Sequence, residues 1–323
     1  MLAAVVFSSN RRVSFRITEQ HLAMVRASLP GAEVLHVEDA KTLAARGLWA
    51  DVLIGWGDAH ALGLDYCLAD PNLKWIHALS AGVENLVDSP VAARPGLRVS
   101  NSRGFHGLPI SEHVLGWLLT HYRGFARMRG TQQEHAWKPF VADELNGRTV
   151  GIIGAGAIGG AIARRCKAFE TRVVGVKRHA MPLPDYDAVY PVEHLDRLLA
   201  ESDVVIMVAP LTPETEGMLD ARAFAAMKSG ALFANVGRGR TVVTADLVDA
   251  LASGHLGGAL IDAVEPEPLP PDHPLWTLPN VVVSPHMSAT TDRYMDRAFA
   301  CFPRNAAVWL AGGRMPDEVD LRK

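Results

Sequence analysis

Cysteine is scarce in this sequence and follows no recognisable spacing. The three cysteines, Cys67, Cys166 and Cys301, lie far apart, and neither a CxxC motif nor a mixed Cys/His ligand spacing surrounds them. Because an odd number of distant cysteines is not typical of a disulfide framework, we expect reduced thiols and a cytoplasmic protein. The sequence predicts no metal site.

Surplus basic charge and long apolar runs are lacking as well. The 32 Lys and Arg residues are balanced by 35 Asp and Glu, so no excess of cations exists to neutralise a nucleic acid or an anionic membrane. The opening MLAAVVFSSN has neither the basic start nor the cleavage site of a signal peptide, and no apolar stretch approaches the roughly 20 residues that span a bilayer. We expect a soluble protein without nucleic-acid or membrane partners.

Short apolar runs alternate with helical patterns along most of the chain. The first series of predicted strands comprises Ala3 to Phe7, Glu33 to Val37, Asp51 to Gly55, Leu73 to Leu79 and Leu97 to Asn101. The second comprises Thr149 to Gly154, Arg172 to Lys177, Asp203 to Ala209, Ala231 to Val236, Ala259 to Val264 and Val281 to Ser284. This alternation predicts βαβ units, and the apolar strands of the second series are typical of parallel strands covered on both faces.

The two series are separated by a helical stretch from Gly107 to Arg129 and by the polar connector GTQQEHAWKPF. A further helical segment, Thr291 to Ala311, follows the second series, and we infer that it crosses back to the first. The sequence therefore predicts two domains, with residues 101–287 inserted into a discontinuous domain of residues 1–100 and 288–323.

A glycine fingerprint opens the second series. The strand TVGII leads into a turn, which is followed by the helical AIARRCKAF and the strand RVVGV. The glycines permit a tight turn, a close approach to a pyrophosphate and close packing of helix on strand, while the helix start offers N–H groups to the anion. An ordinary glycine-rich turn is the plainer interpretation, but the full context favours a dinucleotide site that includes Gly154, Gly156, Ala157, Ile158 and Gly159. The fold class is then α/β, with two Rossmann-like doubly wound domains, the cofactor domain being inserted into a flavodoxin-like substrate domain.

Two cations stand at the end of the strand that follows the fingerprint. An acidic residue that holds the ribose 2′-hydroxyl of NAD is expected there, about 20 residues after the glycines, but the sequence has Lys177 and Arg178. Without that acid NADP is not repelled, and the two cations can pair with its 2′-phosphate. We predict that NADP(H) is preferred over NAD(H); the alternative is that both side chains are solvated and either cofactor binds.

Three further strings follow strand ends of the second series. In order, they are Asn235-Val-Gly-Arg238-Gly, Ile261-Asp262-Ala-Val-Glu-Pro-Glu267-Pro-Leu-Pro and Ser284-Pro-His286-Met-Ser-Ala-Thr-Thr. With GAGAIG, LSAGVENL and VAPLTPET, they make the chain resemble the D-isomer-specific 2-hydroxyacid dehydrogenases over nearly its whole length, and among these most of all the glyoxylate/hydroxypyruvate reductase and broad 2-oxoacid reductase branch. The resemblance implies reduction of a small 2-oxo carboxylic acid to a D-2-hydroxy acid.

The resemblance also implies which residues act. The active site would comprise Arg238, Glu267 and His286. Backbone N–H groups of Ser80, Ala81, Gly82 and Val83 would bind the substrate carboxylate together with Arg238 and His286. The residues that would contact the cofactor besides the fingerprint and the two cations are Ala209, Pro210, Thr215, Val236, Gly237, Arg238, Asp262, His286 and Ser288.

The residue types suit this reaction. Arginine offers a planar fork that can hold a carboxylate through two hydrogen bonds, and it keeps its charge. Histidine can give a proton in reduction and take one in oxidation. A neighbouring carboxylate favours the imidazolium and fixes the ring orientation, as Glu267 would do for His286. The plainer interpretations are a surface arginine, a core histidine and a solvated loop carboxylate, and only the family register favours Glu267 over Glu265.

Other motifs leave alternatives open. We expect His106 and His113 to have capping or interface roles near a hinge helix, and Lys138 to be a connector residue. Trp137 is either a connector residue as well or, as in glyoxylate/hydroxypyruvate reductases, part of the neighbouring subunit's substrate pocket. The resemblance implies a homodimer formed through the cofactor domain, and the stretch from Gly107 to Arg129 has enough apolar character to bury such a face.

The main rival function is a dinucleotide-sensing protein like the corepressors that share this fold. Such a protein is expected to carry extra termini or a peptide-recognition surface, whereas this chain ends almost where the fold ends. A phosphoglycerate dehydrogenase is less expected, because no regulatory domain follows the core. Formate dehydrogenase motifs are not recognised. The residues do not choose among glyoxylate, hydroxypyruvate, pyruvate and larger 2-oxo acids.

Overall fold

The computed structural model describes residues 2–7, 16–37, 43, 47–57, 62–87 and 89–320. The chain forms two compact units, one of Met1–Phe105 with Thr291–Lys323 and the other of His106–Thr290. Residues 1, 8–15, 38–42, 44–46, 58–61, 88 and 321–323, which the sequence assigns to the substrate domain, lie outside the described residues.

The first unit is built on a parallel sheet with one antiparallel edge. Its strands are β1 (Ala3–Phe7), β2 (Glu33–Val37), β3 (Val52–Gly55), β4 (Trp75–Ala78) and β5 (Arg98–Asn101). They lie in the order β2-β1-β3-β4-β5, which is the flavodoxin-like order. A short strand that the sequence did not predict, Glu318–Val319, pairs antiparallel with β5. Two residues are too few to show a period, so the sequence carried no signal for it.

The helices of the first unit come from both ends of the chain. They are Glu19–Ser28, Leu64–Ala69, Glu84–Val87, Tyr294–Phe299 and Phe302–Leu310. The last two occupy the predicted segment Thr291 to Ala311, and the second of them has Pro303 in its first turn, where a missing N–H costs nothing. Its Phe302 stacks on Trp75 of β4 with ring centroids 5.0 Å apart. The C-terminal segment therefore packs in the first unit, as the predicted discontinuous fold requires.

The second unit has a fully parallel sheet. Its strands are β6 (Thr149–Ile153), β7 (Arg172–Val176), β8 (Ala188–Tyr190), β9 (Val204–Met207), β10 (Ala231–Asn235), β11 (Leu256–Ile261) and β12 (Val281–Val283). They lie in the order β12-β11-β10-β9-β6-β7-β8. The strand order reverses between β6 and β9, so the carboxyl ends of these strands flank the crevice where doubly wound folds bind ligands. The predicted α/β class with two Rossmann-like domains is confirmed.

The sequence placed one strand of this sheet about three residues too late. We predicted Ala259 to Val264, but β11 is Leu256–Ile261 and includes Gly257 and Gly258. Both glycines lie against neighbouring backbone: a Cβ on Gly257 would come within 2.5 Å of the Gly230 carbonyl, and one on Gly258 within 2.9 Å of the Asn280 carbonyl. Close backbone approach, and not a turn, requires glycine at these positions.

The helices of the second unit are Gly107–Tyr122, Phe125–Gln133, Ala157–Lys167, Leu195–Glu201, Ala221–Ala226 and Thr244–Ala252. The prediction of one continuous helix from Gly107 to Arg129 is therefore wrong. The helix ends at Tyr122, Gly124 adopts a left-handed φ of 68°, and a second helix continues into the predicted connector. Within the described part of the chain, none of the helices combines the length and the apolar character that a bilayer span requires.

Candidate active site

The glycine turn after β6 has the backbone geometry of a dinucleotide fingerprint. Gly154 has a φ of +106°, and a Cβ there would lie 2.6 Å from the Ala209 nitrogen. A Cβ on Gly159 would lie 2.4 Å from the Gly154 carbonyl, so this residue brings the helix Ala157–Lys167 close to the strand. None of the described residues lies within 4 Å of the Cβ position of Gly156, which leaves space for a ligand at the helix start. The turn therefore fits the pyrophosphate of a dinucleotide, which binds the N–H groups of a helix start.

The next two strand ends carry other predicted cofactor residues. Lys177 directly follows β7, and Arg178 contacts Glu214 at 3.5 Å, with both side chains of that pair largely exposed. After β9, the loop that contains Pro210 is closed by Thr215, whose hydroxyl donates to the Pro210 carbonyl at 2.7 Å. Thr215 therefore shapes the loop through its own hydrogen bonds.

The loop that carries Arg238 is held by a buried asparagine at the end of β10. The amide of Asn235 donates to the carbonyls of Ala263 at 2.9 Å and Arg238 at 3.2 Å, while its oxygen accepts from the N–H of Gly237. A Cβ on Gly239 would come within 2.1 Å of the Val264 carbonyl. The Arg238 loop is thereby packed against the loop that follows β11. Asn235 stands in one of the strings named above, but its residue type alone did not indicate this supporting part.

A second buried side chain, Asp262, organises the loop after β12. Its carboxylate accepts hydrogen bonds from the hydroxyl of Ser284 at 2.6 Å, from the N–H of Met287 at 2.8 Å, and from both the N–H and the hydroxyl of Ser288. Its backbone carbonyl accepts from the N–H of His286 at 3.0 Å. His286 adopts a left-handed φ of 51°, which is uncommon for a residue with a side chain. Asp262 therefore binds residues before and after His286 and holds the loop in this conformation.

His286 and Glu267 lie within ion-pair distance of each other in the second unit. The Nδ1 atom of His286 lies 3.0 Å from each carboxylate oxygen of Glu267, whose side chain is 25% exposed. Glu265, the competing carboxylate, is exposed. Arg238, Glu267 and His286 follow β10, β11 and β12, which are neighbours in the sheet. The three residues therefore lie at the carboxyl ends of three neighbouring strands.

A buried histidine, His106, lies close enough to Arg238 for the charge of the arginine to act on it. It precedes the helix Gly107–Tyr122 but makes no side-chain cap there, contrary to the capping role considered above. Burial lowers the pKa of His106 to about 4, and the positive charge of Arg238 contributes to the shift. The buried imidazole is neutral at pH 7. Sequence separation hid this proximity, since the two residues come from distant segments of the unit.

The loop predicted to bind a carboxylate lies in the first unit, directly after β4. The Ser80 hydroxyl accepts from the N–H of Gly57 at 3.1 Å and donates to the Gly82 carbonyl at 2.6 Å. The amide of Asn101 donates to the Ala81 carbonyl at 2.6 Å. Among the described residues, no acceptor contacts the N–H groups of Ala81, Gly82 and Val83. The loop is thus held by its other polar groups and presents three N–H donors.

The remaining candidates are Trp137, Lys138, His113 and the three cysteines. Trp137 is 99% exposed, and Lys138 pairs with Glu134 at 2.8 Å. His113 has a buried Nε2 without a hydrogen-bond partner in the described structure. All three cysteines are buried and unpaired, and burial raises the pKa of Cys67 and of Cys166 to about 12. Within the described ranges, no cluster of three His, Cys, Asp or Glu side chains could hold a metal ion.

The family model described as "D-isomer specific 2-hydroxyacid dehydrogenase, NAD binding domain" matches residues 115–288. This match covers more than half of the chain and contains the glycine turn, the Arg238 loop and the His286–Glu267 pair. The chain belongs to the D-isomer specific 2-hydroxyacid dehydrogenase family, and its second unit contains an NAD(P)(H)-binding domain.

Relatives and solved structures extend the similarity over the whole chain. The chain is 36% identical to mouse glyoxylate reductase/hydroxypyruvate reductase over 264 residues, 78% of this chain and 79% of the relative. It is 34% identical to D-3-phosphoglycerate dehydrogenase of Mycobacterium bovis over 91% of this chain, but it spans only about half, 52%, of that longer relative. The structure of an NADPH-dependent glyoxylate/hydroxypyruvate reductase from Sinorhizobium meliloti, in complex with NADP and sulfate, matches with a TM-score of 0.82 and 28% identity over 100% of this chain and 99% of that one.

Proposed function

We propose that this protein reduces small 2-oxo carboxylic acids, such as glyoxylate or hydroxypyruvate, to D-2-hydroxy acids with NADPH. The observation that carries the proposal is the pairing of His286 Nδ1 with both oxygens of Glu267 at 3.0 Å. These two residues follow β12 and β11, and Arg238 follows the neighbouring strand β10. Reduction of a carbonyl needs a proton donor and a cation close together, and these residues provide both.

Each of the three residues has a distinct part. Arg238 binds the substrate carboxylate through its planar fork and polarises the carbonyl. His286 gives a proton from Nε2 to the oxygen that becomes the hydroxyl, since Nδ1 is turned to Glu267. Glu267 orients the ring and stabilises the imidazolium, so it supports proton transfer without touching the substrate. The bound nicotinamide supplies the hydride.

The cofactor residues follow from the geometry of the second unit. Gly156, Ala157 and Ile158 would hold the pyrophosphate at the helix start. Lys177 stands where an acidic residue would select NAD, which supports NADPH as the preferred donor. Asp262 and Ser288 would border the nicotinamide while they hold the His286 loop.

We assign the dinucleotide-binding domain to the second unit and the substrate domain to the first, whose Ser80 to Val83 loop would bind a carboxylate through its N–H groups.

We also propose a homodimer formed through the second unit. In support, the helix Phe125–Gln133 has no buried residue, and Phe125, Met128 and Trp137 are exposed. A mass near twice 34.9 kDa in solution, independent of dilution, is the expected result, and a stable monomer would contradict the proposal.

The test of the function is NADPH oxidation with a panel of glyoxylate, hydroxypyruvate, pyruvate and the phosphorylated hydroxypyruvate that corresponds to phosphoglycerate. We expect turnover with the small unphosphorylated acids, a D product on chiral analysis, and little activity with the phosphorylated one. A protein that binds NADPH but reduces none of these acids would support a dinucleotide-sensing protein instead. Preference for the phosphorylated acid would favour phosphoglycerate chemistry, as in the mycobacterial relatives.

A further inference from the structure

A cavity of about 490 Å³ opens beside the fingerprint helix of the second unit. It is lined by the helix start at Gly156 and Ala157, and by Arg164, Lys177, Asp185 and Tyr186. Its volume lies within the range of small-molecule sites. The proposed function uses the helix start and Lys177 but gives no part to Arg164, Asp185 or Tyr186.

The periodicity of the helix explains why Arg164 reaches this cavity. Ala157, Gly160, Ala161 and Arg164 all line it, and they lie on one helix face at spacings of three and four residues. Long side chains on a helix lean toward its N-terminus, so we expect the side chain of Arg164 to lean toward the glycine turn. The small residues before it leave that path open, and a Cβ on Gly160 would meet none of the described residues within 4 Å.

The charges in the cavity favour an anion. In the described structure neither Lys177 nor Arg164 has an ion-pair partner, whereas Arg178, which does not line the cavity, contacts Glu214. Asp185 is the acidic residue of the lining, so two cations face one carboxylate. The partial positive charge of the helix start adds to the attraction for an anion.

We infer that this cavity is a phosphate subsite in which Arg164 and Lys177 together bind the 2′-phosphate of NADPH. The inference rests on the proposed use of NADPH, and it names Arg164, and not Arg178, as the second phosphate-binding cation. Asp185 then limits the affinity for the phosphate by charge repulsion.

Calorimetric titration with adenosine 2′,5′-bisphosphate and with 5′-AMP tests the inference without turnover. We expect Arg164→Ala to weaken the binding of the 2′,5′-bisphosphate at least about tenfold while the binding of 5′-AMP changes little, because only the former carries the additional phosphate. The matched control is Arg165→Ala, since Arg165 is the next residue on the helix, donates to the Ala161 carbonyl and does not line the cavity. Asp185→Asn should tighten the binding of the 2′,5′-bisphosphate.

The outcomes separate this inference from the proposed function. If the wild type prefers the 2′,5′-bisphosphate but Arg164→Ala binds it as the wild type does, the Arg164 assignment is overturned and NADPH use stands. If the wild type binds both probes equally, the NADPH preference and the subsite fail together, while reduction of 2-oxo acids is judged separately from turnover. If Asp185→Asn does not tighten the binding of the 2′,5′-bisphosphate, the placement of the 2′-phosphate in this cavity is contradicted.

Discussion

The Nδ1 atom of His286 lies at the same distance, 3.0 Å, from both carboxylate oxygens of Glu267. An ionised carboxylate can only accept hydrogen bonds, so Nδ1 carries a proton and Nε2 is the atom left to exchange one with a substrate. Glu265, two residues away, is exposed and makes no such contact in the described structure. The pairing predicts different consequences for two chemically identical substitutions.

Glu267→Gln keeps the size of the side chain but removes the charge that stabilises the imidazolium. We expect kcat to fall about ten- to a hundredfold, because an amide offers one acceptor oxygen where the carboxylate offers two, and it therefore holds the imidazole less firmly. The measurement is kcat with saturating NADPH and 2-oxo acid. Glu265→Gln is the matched control and should leave kcat unchanged. Equal effects of both substitutions would show that Glu267 does not support His286 in catalysis.

His286→Asn should abolish most turnover, because asparagine cannot exchange a proton near neutral pH. A loss of about 10² to 10⁴-fold in kcat is expected for a missing general acid. Binding of NADPH, followed by its fluorescence, should stay close to that of the wild type. His194→Asn, at an exposed position without a side-chain partner in the described residues, is the control. Turnover like that of the wild type in the His286 variant would exclude this histidine from the mechanism.

Arg238→Lys exchanges a planar fork for a point charge. Because a lysine cannot form two parallel hydrogen bonds to a carboxylate, we expect a higher KM for the 2-oxo acid and a kcat/KM about ten- to a hundredfold lower. The control is Arg240→Lys, since Arg240 binds Glu216 on the exposed side of the same loop. Steady-state kinetics that are no more impaired in Arg238→Lys than in the control would contradict the assigned part of Arg238.

The repeated βαβ units of the fold could be predicted from the sequence. Short apolar runs located most strands of both sheets, because buried parallel strands take apolar side chains on both faces. The three-residue β8, which follows a loop rich in proline and aspartate, carries too little pattern and was missed. The helix break at Gly124 was missed because glycine is tolerated inside helices, and only its left-handed φ marks the end.

The site was predictable only in its residue types. The family strings after three strand ends supplied Arg238, Glu267 and His286 as candidates, but the bonds that hold their loops come from buried side chains with no pattern of their own. Asn235 and Asp262 each bridge segments that are more than 20 residues apart in sequence. The proximity of His106 to Arg238 depends in the same way on packing between distant elements. Periodicity describes one element at a time and cannot report such contacts.

Lys177→Asp should shift the cofactor preference toward NADH. An aspartate at the end of β7 can accept hydrogen bonds from both ribose hydroxyls and repels a 2′-phosphate. We expect the ratio of kcat/KM for NADPH to that for NADH to fall at least about a hundredfold, since one attraction is lost and one repulsion gained. Arg178→Ala should lower the ratio less, because Arg178 already contacts Glu214. A wild-type enzyme that prefers NADH would contradict the prediction before any variant is made.

Two buried histidines, one in each unit, make stability depend on pH. Burial lowers the pKa of His77 to about 3 and that of His106 to about 4, from an ordinary value of 6.5. His77 stays within hydrogen-bonding distance of the hydroxyls of Ser100, at 2.8 Å, and Ser102, at 3.2 Å. In the unfolded chain both imidazoles bind protons below pH 6.5, while in the folded protein they stay neutral until the pH falls to about 4 for His106 and about 3 for His77.

The unfolded state therefore gains protons first as the pH falls, and the free energy of unfolding decreases. Each histidine contributes a loss of about 1.4 kcal/mol per pH unit between pH 6.5 and its folded pKa. Urea unfolding from pH 7.5 to pH 5 should show stability that is constant above about pH 7 and declines below it. His77→Gln removes one titrating group and should make the decline shallower, whereas His194→Gln, at an exposed position, should not. A decline that His77→Gln leaves unchanged would mean that His77 is not the group that takes up the proton.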